Sequence, residues 1–566
     1  MPEKKQLSWW QKFISWTDDN LLFVVSTFLL AFIPLYPKIP LFDIIPGYIV
    51  RVRVEDVLMG LGGLIWLIQL LRKKITWKSP LFKLIGSYVA VGFFSLLSAM
   101  FISQTIPLEL IHVGKSALHL FRYLEYFLLF FLMYASIKTE KQAKTVLWTI
   151  VATVILIGFY GLGQKYWYWP VYSTMNREFS KGVRLYLTEH ARVQSTFGGH
   201  YDLGAYLVIV LPILLSFAYL SEKKWEKWLL HLTHAFGLWL LIMSASRTPF
   251  GAYGLAALIV ISLVAWREQT WLKRLITFIK KSLALGLMTV ILLLAFGSDM
   301  YERFLQVIEG YPTLAASYEK IKVAYDEVNA QRKKTRDQVY DWLGIIELEP
   351  PKNSIGFDNS GLEPVLTATD QQPKPTTVRP SDVYEDIPDL VEVATISADG
   401  SSATIQIQKE RTWSDNALKY GLSMGIRLDT LWPNAIRGFM NNPLFGSGYA
   451  TLNKETAFHF TEAESTDNNF LRVLGETGLL GFLTFFGIIV VAIQQAWQHI
   501  NDKKFFKAAA AIGLVAGSIG LLANASYIDV YAASKVAFTY WGIVGFILTV
   551  LALPNKNKPL LKPKKK

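Results

Sequence analysis

Three arginines stand in short polar segments beside long apolar runs. Arg192 lies in ARVQSTFGGHYD, Arg247 in SASRTP, and Arg427 in GIRLDTLWP. A guanidinium group presents a planar fork of N–H donors that matches phosphate oxygens, and it stays charged at physiological pH. Three such groups at one membrane surface predict a site for a lipid diphosphate. For each arginine alone, the alternative is a helix end or an ordinary phospholipid headgroup.

Carboxylates stand at the start of a later apolar run, in the segment DNNFLRVLGETGLLG that begins at Asp467. A carboxylate at this position can accept a proton from a sugar hydroxyl, as a general base does. The spacing favours another role, in which Asp467 is a helix N-cap and Asn468 assists; the two roles are compatible. Glu476 is a second acidic candidate, or it fixes a helix bend before Gly478.

His200 lies in the same segment as Arg192. A lone histidine in a loop is usually solvated, and no second residue follows at a spacing typical of metal ligands. The chain has no cysteine, which excludes thiolate catalysis, disulfides and cysteine-ligated metals. We therefore expect no metal and no cofactor, with His200 in a supporting role.

Apolar runs long enough to cross a membrane must position these residues. A helix needs roughly 20 apolar residues to span about 30 Å of hydrocarbon. Only 18% of the residues are charged and 52% are hydrophobic, whereas soluble domains carry about 25% charged residues. The sequence predicts an all-α polytopic membrane protein with about 12 transmembrane helices, near 20–37, 55–71, 82–102, 116–136, 145–164, 203–220, 229–245, 249–266, 283–298, 476–496, 508–526 and 535–553.

Lysine and arginine in the short connections predict the orientation of these helices. Basic residues occupy the connections at 72–74, 138–144, 223–227, 267–281 and 503–507, and also the C-terminal tail. Twelve spans put all of them on one side together with both termini, and basic short loops remain in the cytoplasm. We therefore expect both termini inside. The net charge of +13 fits orientation and anionic lipid rather than nucleic acid.

A long segment between the ninth and tenth spans then lies outside the cytoplasm as a loop domain. The expected parts are helices 1–9 over residues 1–298, the loop domain over 299–474, and helices 10–12 with the basic tail over 475–566. In the loop, helical periodicity flanks a linker at 350–387 that is rich in proline, aspartate and serine. Alternating residues on both sides of Asp399 predict a small β-hairpin.

The polar segments, in this order and at these topological positions, resemble the O-antigen ligase and O-antigen polymerase superfamily of bacterial membrane glycosyltransferases. The similarity in topology covers nearly the whole chain. It is sharpest in four segments: Arg192 through TFGGHYDLGAY, SASRTP at Arg247, Arg427 through PLFGSG, and Asp467 through ETGLLG. The resemblance implies transfer of a glycan from an undecaprenyl diphosphate carrier to an acceptor hydroxyl. That reaction would take place on the outer face of the bacterial cytoplasmic membrane, without a metal.

The resemblance also implies roles for the residues. Arg192, Arg247 and Arg427 would bind the diphosphate, the last two acting in catalysis with Asp467, and the supporting residues would be Asn468, Glu476 and His200. The expected partners are a lipid-linked oligosaccharide donor, membrane lipids, and a glycan, lipid or protein acceptor, with no nucleic acid. Ligases of the family typically have histidine followed by asparagine where this chain has Asp467 and Asn468. The departure favours a polymerase, or a ligase for an acceptor other than lipid A.

A lipid or polysaccharide transporter is the alternative function. Transporters are expected to carry charges near the membrane midplane and internal repeats. Arg122 and Glu125 are the clear charges within a predicted span, and the sequence has no internal repeat. Their spacing predicts an ion pair on one helix face, with a place in a substrate cavity as the alternative.

Overall fold

A computed structural model describes residues 8–44, 51–175, 179–309, 355–357, 390–396, 402–408, 422–452 and 465–554, with scattered positions at 320–338 and at 416. The protein is mostly helical. The helices are α1 Trp9–Leu35, α2 Val54–Leu71, α3 Phe82–Phe101, α4 Leu110–Ser136, α5 Glu140–Tyr166, α6 His200–Leu220, α7 Lys224–Met243, α8 Arg247–Trp266, α9 Trp271–Phe296, α10 Ser298–Glu309, α11 Leu422–Ile426, α12 Trp432–Asn441, α13 Asn469–Trp497, α14 Phe505–Ala525 and α15 Ser534–Ala552.

Eleven helices within the described residues are long and apolar enough to cross a membrane. Each of the twelve predicted spans overlaps one long helix. The predicted span at 229–245 corresponds to α7, which is not among the eleven because its first half is polar, with Trp225, Glu226, Lys227 and two histidines. The coarse prediction of a mostly helical chain, with many helices long and apolar enough to span a membrane, is therefore confirmed.

The ninth span begins earlier than predicted. Residues 267–281 were expected to form a basic connection, but α9 starts at Trp271 and so includes most of them. Thr270 caps this helix by accepting from the backbone N–H of Lys273 at 3.4 Å. No residue of α9 is buried. The basic residues from 273 to 281 therefore lie in the first turns of a peripheral helix, and not in a loop.

Contacts between helix termini define two ends of the bundle. At one end, Thr196 before α6 donates to the carbonyl of Pro34 in α1 at 2.6 Å. Asn468 before α13 donates to the carbonyl of Ser526 after α14 at 3.0 Å. We call this the site end. The other, basic end holds Arg72, which pairs with Asp18 of α1 at 2.5 Å.

Three two-stranded sheets accompany the helices. They are β1 Pro40–Asp43 with β2 Arg51–Arg53, β3 Leu185–Leu187 with β4 Ile355–Phe357, and β5 Leu390–Ile396 with β6 Ser402–Gln408. The last pair is the predicted hairpin, antiparallel with Leu390 opposite Gln408. The parallel β3–β4 pair was not predicted, and it lies partly in the expected linker. The rest of 350–387 is outside the described residues.

A break in α13 joins two of the glycine-containing segments. At Gly478 the backbone leaves the helical region (φ 64°, ψ −167°), which frees the neighbouring peptide groups from their helical partners. The turn after α12 takes up those groups. Ser447 N–H donates to the carbonyl of Gly475 and Leu479 N–H to that of Pro443, at 2.9 and 2.8 Å. Buried backbone groups must find partners within the protein, so the two segments fold together.

Replacing Gly478 by alanine is expected to lower the free energy of unfolding by about 3 kcal/mol, because positive φ is strained for alanine. The added Cβ would also lie 2.4 Å from the carbonyl carbon of Leu444. Thermal unfolding in detergent measures the effect. Gly487 lies in the same helix with nothing within 4 Å of an added Cβ, so Gly487→Ala is the matched control. Equal unfolding temperatures for the two variants would contradict this account.

Candidate functional site

Arg427 and Asp467 form an ion pair at the site end. Arg427 begins a short π-helical turn, Arg427–Leu431, between α11 and α12. Its Nη2 lies 2.8 Å from Oδ2 of Asp467, although the two residues are far apart in the sequence. Arg427 is only 5% exposed, whereas 28% of the Asp467 side chain is accessible. The carboxylate is therefore the part of this pair that a ligand can approach.

Asp467 is not the N-cap that its spacing predicted. Its backbone is left-handed (φ 51°), a conformation that aspartate and asparagine tolerate better than most residues. The N-cap is Asn468, whose Oδ1 accepts from the backbone N–H of Leu471 at 3.0 Å. The prediction placed the cap one residue too early, and the side chain of Asp467 is thereby free to face Arg427. Burial raises the pKa of the Asp467 carboxyl, and Arg427 opposes that shift.

Asp529, in the connection between α14 and α15, orders the segment before α13. Its carboxylate accepts from the backbone N–H groups of Thr466 and Asn468, at 2.9 and 3.0 Å. Oγ of Ser465 lies between the carboxylates of Asp529 and Asp467, at 2.8 and 2.9 Å. A hydroxyl has one proton, so Ser465 can donate to only one of them at a time. Asp529 thus fixes the chain on both sides of Asp467.

Arg472 connects Asp529 with Glu476 inside the same region. It lies 3.0 Å from Asp529 and 3.5 Å from Glu476, one helical turn further along α13. Glu476 also accepts from the backbone N–H of Ala450 at 3.1 Å. All three charged side chains are buried. Glu476 therefore holds the helix break and the turn together, which supports the helix-bend interpretation of this residue.

Sequence reasoning missed the residues of the α14–α15 connection. The ring of Tyr527 lies 4.1 Å from the guanidinium carbon of Arg427, a cation–π contact. The backbone N–H of Tyr531 donates to Oδ1 of Asn469 at 2.8 Å. One signal for this connection was available, because Asp529 is the lone acid between the last two apolar runs. Arg472 and Glu476 likewise have the spacing of a helical ion pair.

Arg192 and His200 form a second group at the start of α6. Nη1 of Arg192 lies 2.5 Å from Nε2 of His200 and 3.3 Å from the hydroxyl of Tyr201. A guanidinium only donates, so His200 must accept through an unprotonated Nε2. Both residues are buried. His200 is therefore a buried partner of Arg192 and not the solvated loop histidine that the sequence favoured, and its supporting role in a site stays a prediction.

Arg247 lies beside this group, as the first residue of α8. Ser246 Oγ donates to the carbonyl of His200 at 3.4 Å. Arg247 is exposed and donates through Nη1 to the carbonyl of Arg303 in α10, at 3.2 Å. Arg303 is 2% exposed, and its Nε and Nη2 have no hydrogen-bond partner within the described chain. The sequence analysis did not single out this buried guanidinium.

The contacts place the predicted residues in two groups at the site end. Arg427, Asp467, Asn468 and Glu476 form one group, and Arg192, His200 and Arg247 form the other. They are linked through Lys535 in the first turn of α15, which donates to the carbonyl of Thr196 at 2.8 Å. That the two groups line a single pocket stays a prediction.

Two further sets of charged groups lie near this end of the bundle. The predicted Arg122–Glu125 pair is present at 3.0 Å, and Arg122 additionally pairs with Asp56. His190, Asp299 and Glu302 hold possible metal-ligand atoms within 4.8 Å of one another. Lys165 lies 3.3 Å from Asp299, so an ammonium group already neutralises a carboxylate of this cluster.

Comparisons with known proteins do not identify the chain. No protein-family model matches it, and no curated protein sequence matches it. The site described above therefore rests on its own geometry and on the resemblance of its segments.

Proposed function

We propose that the protein is a membrane glycosyltransferase that moves a glycan from an undecaprenyl diphosphate carrier to an acceptor hydroxyl. The observation that carries the proposal is the Arg427–Asp467 pair at 2.8 Å. In it, an accessible carboxylate with a left-handed backbone is held beside a buried guanidinium. Unusual backbone conformations of this kind concentrate at functional sites. Arg192 and Arg247 lie at the same end of the bundle and supply further positive charge.

The chemistry follows from these groups. The Asp467 carboxylate takes the proton of the acceptor hydroxyl, whose oxygen attacks the anomeric carbon of the carrier-linked sugar. The bond between that carbon and the phosphate oxygen breaks, and the lipid diphosphate leaves with the electron pair. Fixed guanidinium groups stabilise the negative charge that develops on the leaving group. Direct displacement inverts the anomeric carbon.

The orientation belongs to the same proposal. Arg72 and Lys74 lie beside Asp18 at the basic end, where Arg267 also donates to the carbonyl of Ile500 at 2.5 Å. Short basic connections remain in the cytoplasm. The site end then faces the outside of a bacterial cytoplasmic membrane, with both termini inside and residues 299–474 extracytoplasmic. Water-soluble acceptors and the outer-leaflet carrier meet at that face.

Arg247→Ala is expected to lower glycosyl transfer about 100-fold to 1,000-fold, the effect of removing one donor to a developing anion. Purified protein in nanodiscs is supplied with undecaprenyl diphosphate oligosaccharide, and the release of undecaprenyl diphosphate is measured. Arg72→Ala removes an arginine at the basic end, where Lys74 still pairs with Asp18, and serves as the control. Equal rates for Arg247→Ala, Arg72→Ala and the unmodified protein would count against the proposal.

Transport of a lipid or polysaccharide remains the second candidate function. The partly buried ion pair of Arg122 with Asp56 is the observation that favours it. The same purified protein, reconstituted in vesicles, distinguishes transport from glycosyl transfer. A transporter moves the intact lipid-linked glycan between leaflets, whereas a transferase produces free undecaprenyl diphosphate and a longer glycan.

A further inference from the structure

Glu55, in the first turn of α2, is a buried carboxylate that the proposed mechanism does not use. It is 1% exposed, and neither carboxylate oxygen has a hydrogen-bond partner in the part of the chain that the structure describes. Burying a carboxylate without partners is strongly unfavourable. A bound group that donates hydrogen bonds to this carboxylate is therefore expected.

Four charged side chains from separate parts of the chain interact electrostatically with Glu55 or with its neighbours: Glu55 acts on Lys38, Arg53 and Lys535, and Asp202 acts on the same three cations. Lys38 precedes β1, Arg53 ends β2, Asp202 lies in the first turn of α6, and Lys535 lies in the first turn of α15. Burial lowers the pKa of Lys38 to about 8, and nearby Arg53 adds to that shift while Asp202 and Glu55 oppose it. We call Lys38, Arg53, Glu55, Asp202 and Lys535 the Glu55 cluster.

The Glu55 cluster contains both unused hydrogen-bond donors and unused hydrogen-bond acceptors. Lys535 spends its three protons on the carbonyls of Pro34, Tyr36 and Thr196. Lys38 donates to Oγ of Ser534 at 2.6 Å, and the described residues take none of its other protons. Nε of Arg53 also lacks a partner among them. Unused donors on Lys38 and Arg53 therefore accompany two unused acceptor oxygens on Glu55.

This combination selects the chemical class of the ligand. An anion would satisfy the lysine and the arginine but would be repelled by Glu55, and a cation would be repelled by three positive charges. The cluster is nearly balanced, with three cations and two carboxylates. A hydroxyl group both donates and accepts. A neutral group with several hydroxyls, such as a sugar ring, can therefore use both kinds of capacity at once.

We propose that the Glu55 cluster is a subsite for a sugar of the lipid-linked donor. The subsite lies between the two groups of the candidate site. Asp202 follows His200, the partner of Arg192, and Thr196 of the same segment accepts from Lys535. Ser534, the partner of Lys38, follows the connection that carries Asp529. The inference rests on the proposed function, because it takes the ligand to be a carrier-linked glycan.

The test compares binding of five lipids to the full-length protein in nanodiscs. The probes are bare undecaprenyl diphosphate and the same carrier bearing glucose, galactose, N-acetylglucosamine or N-acetylgalactosamine. The unmodified protein is expected to prefer at least one glycosylated carrier over the bare carrier by ten-fold or more. Glu55→Gln is expected to remove about ten-fold of that preference, the effect of weakening a hydrogen bond to a charged group. Binding of the bare carrier should not change.

A stability measurement separates binding from a structural role. Glu55→Gln keeps the shape of the side chain, and Asp202 still opposes the three cations, so the variant should remain folded at the temperature of the binding assay, which its unfolding temperature without lipid verifies. Glu140→Gln, at an exposed glutamate of the basic end that pairs with Lys144, is the matched control and should leave binding unchanged.

The outcomes distinguish this inference from the proposed function. The sugar subsite would be overturned if the unmodified protein prefers none of the four glycosylated carriers over the bare carrier. It would also be overturned if Glu55→Gln weakens binding of the bare and the glycosylated carriers equally. If the bare carrier binds no better to the unmodified protein than to Arg192→Ala and Arg247→Ala, the diphosphate site itself fails. A glycosylated carrier that is preferred only when Glu55 is present supports the subsite.

Discussion

Asp467→Asn is expected to lower glycosyl transfer about 100-fold to 10,000-fold, the usual contribution of a positioned general base. Asparagine keeps the size of the side chain and tolerates the left-handed backbone of this residue (φ 51°). The amide, however, cannot take the proton of the acceptor hydroxyl. Transfer is measured well below the unfolding temperature, since the variant also loses the ion pair with Arg427.

The pH dependence gives this prediction a second readout. Only the ionised carboxylate is a base, and burial raises the pKa of Asp467. Transfer by the unmodified protein should therefore fall as the pH falls through that raised value, whereas the residual activity of Asp467→Asn should lack this step. Asp429→Asn, at an exposed aspartate of the same turn as Arg427, is the control. More than a tenth of normal activity in Asp467→Asn would rule out the base.

Asp529→Ala should reduce the free energy of unfolding by about 3–5 kcal/mol, because it leaves the buried charge of Arg472 without its nearer partner. It also removes the acceptor for the backbone N–H groups of Thr466 and Asn468. Transfer should be lost as well, since the segment that holds Asp467 would no longer be fixed. Thermal unfolding in detergent and the nanodisc assay measure the two effects.

Asp502→Ala provides the comparison for Asp529. Asp502 lies in the neighbouring connection, between α13 and α14, and accepts from the backbone N–H of Lys504 at 2.9 Å. It contacts His499 but no buried arginine among the described residues. This variant is expected to lose about 1 kcal/mol, the net value of an ordinary hydrogen bond. Similar losses in the two variants would show that Asp529 has no special structural role.

The helices were predictable because hydrocarbon thickness fixes their length and composition. Every predicted span overlaps a long helix. Boundaries failed where polar residues continue a helix beyond the apolar run. At the start of α9, Lys273 and Arg274 were predicted to lie in a connection, although Thr270 caps a helix that includes them. The antiparallel hairpin at 390–408 was also predictable, because its alternation and its turn are local.

The candidate site was only partly predictable, because its contacts connect distant segments. The sequence identified Arg427 and Asp467 separately, but their pairing depends on how the turn before α12 packs near α13. Asp529 and Arg303 were missed, since a single charge near an apolar run does not reveal whether it is buried. The cap was assigned one residue early because aspartate and asparagine are equally good caps. Only the backbone conformation of Asp467 distinguishes them here.

The break at Gly478 divides α13 into parts with different tasks. Residues 479–497 alone extend about 28 Å at about 1.5 Å per residue, nearly the full thickness of the hydrocarbon layer. The preceding turns, which carry Arg472 and Glu476, are therefore not needed to cross the membrane. In the proposed orientation these turns lie above the lipid tails, where charged side chains avoid the cost of immersion in hydrocarbon. Substitutions in the turns before Gly478 should accordingly act through charge interactions. Substitutions in residues 479–497 should instead act through contact with lipid.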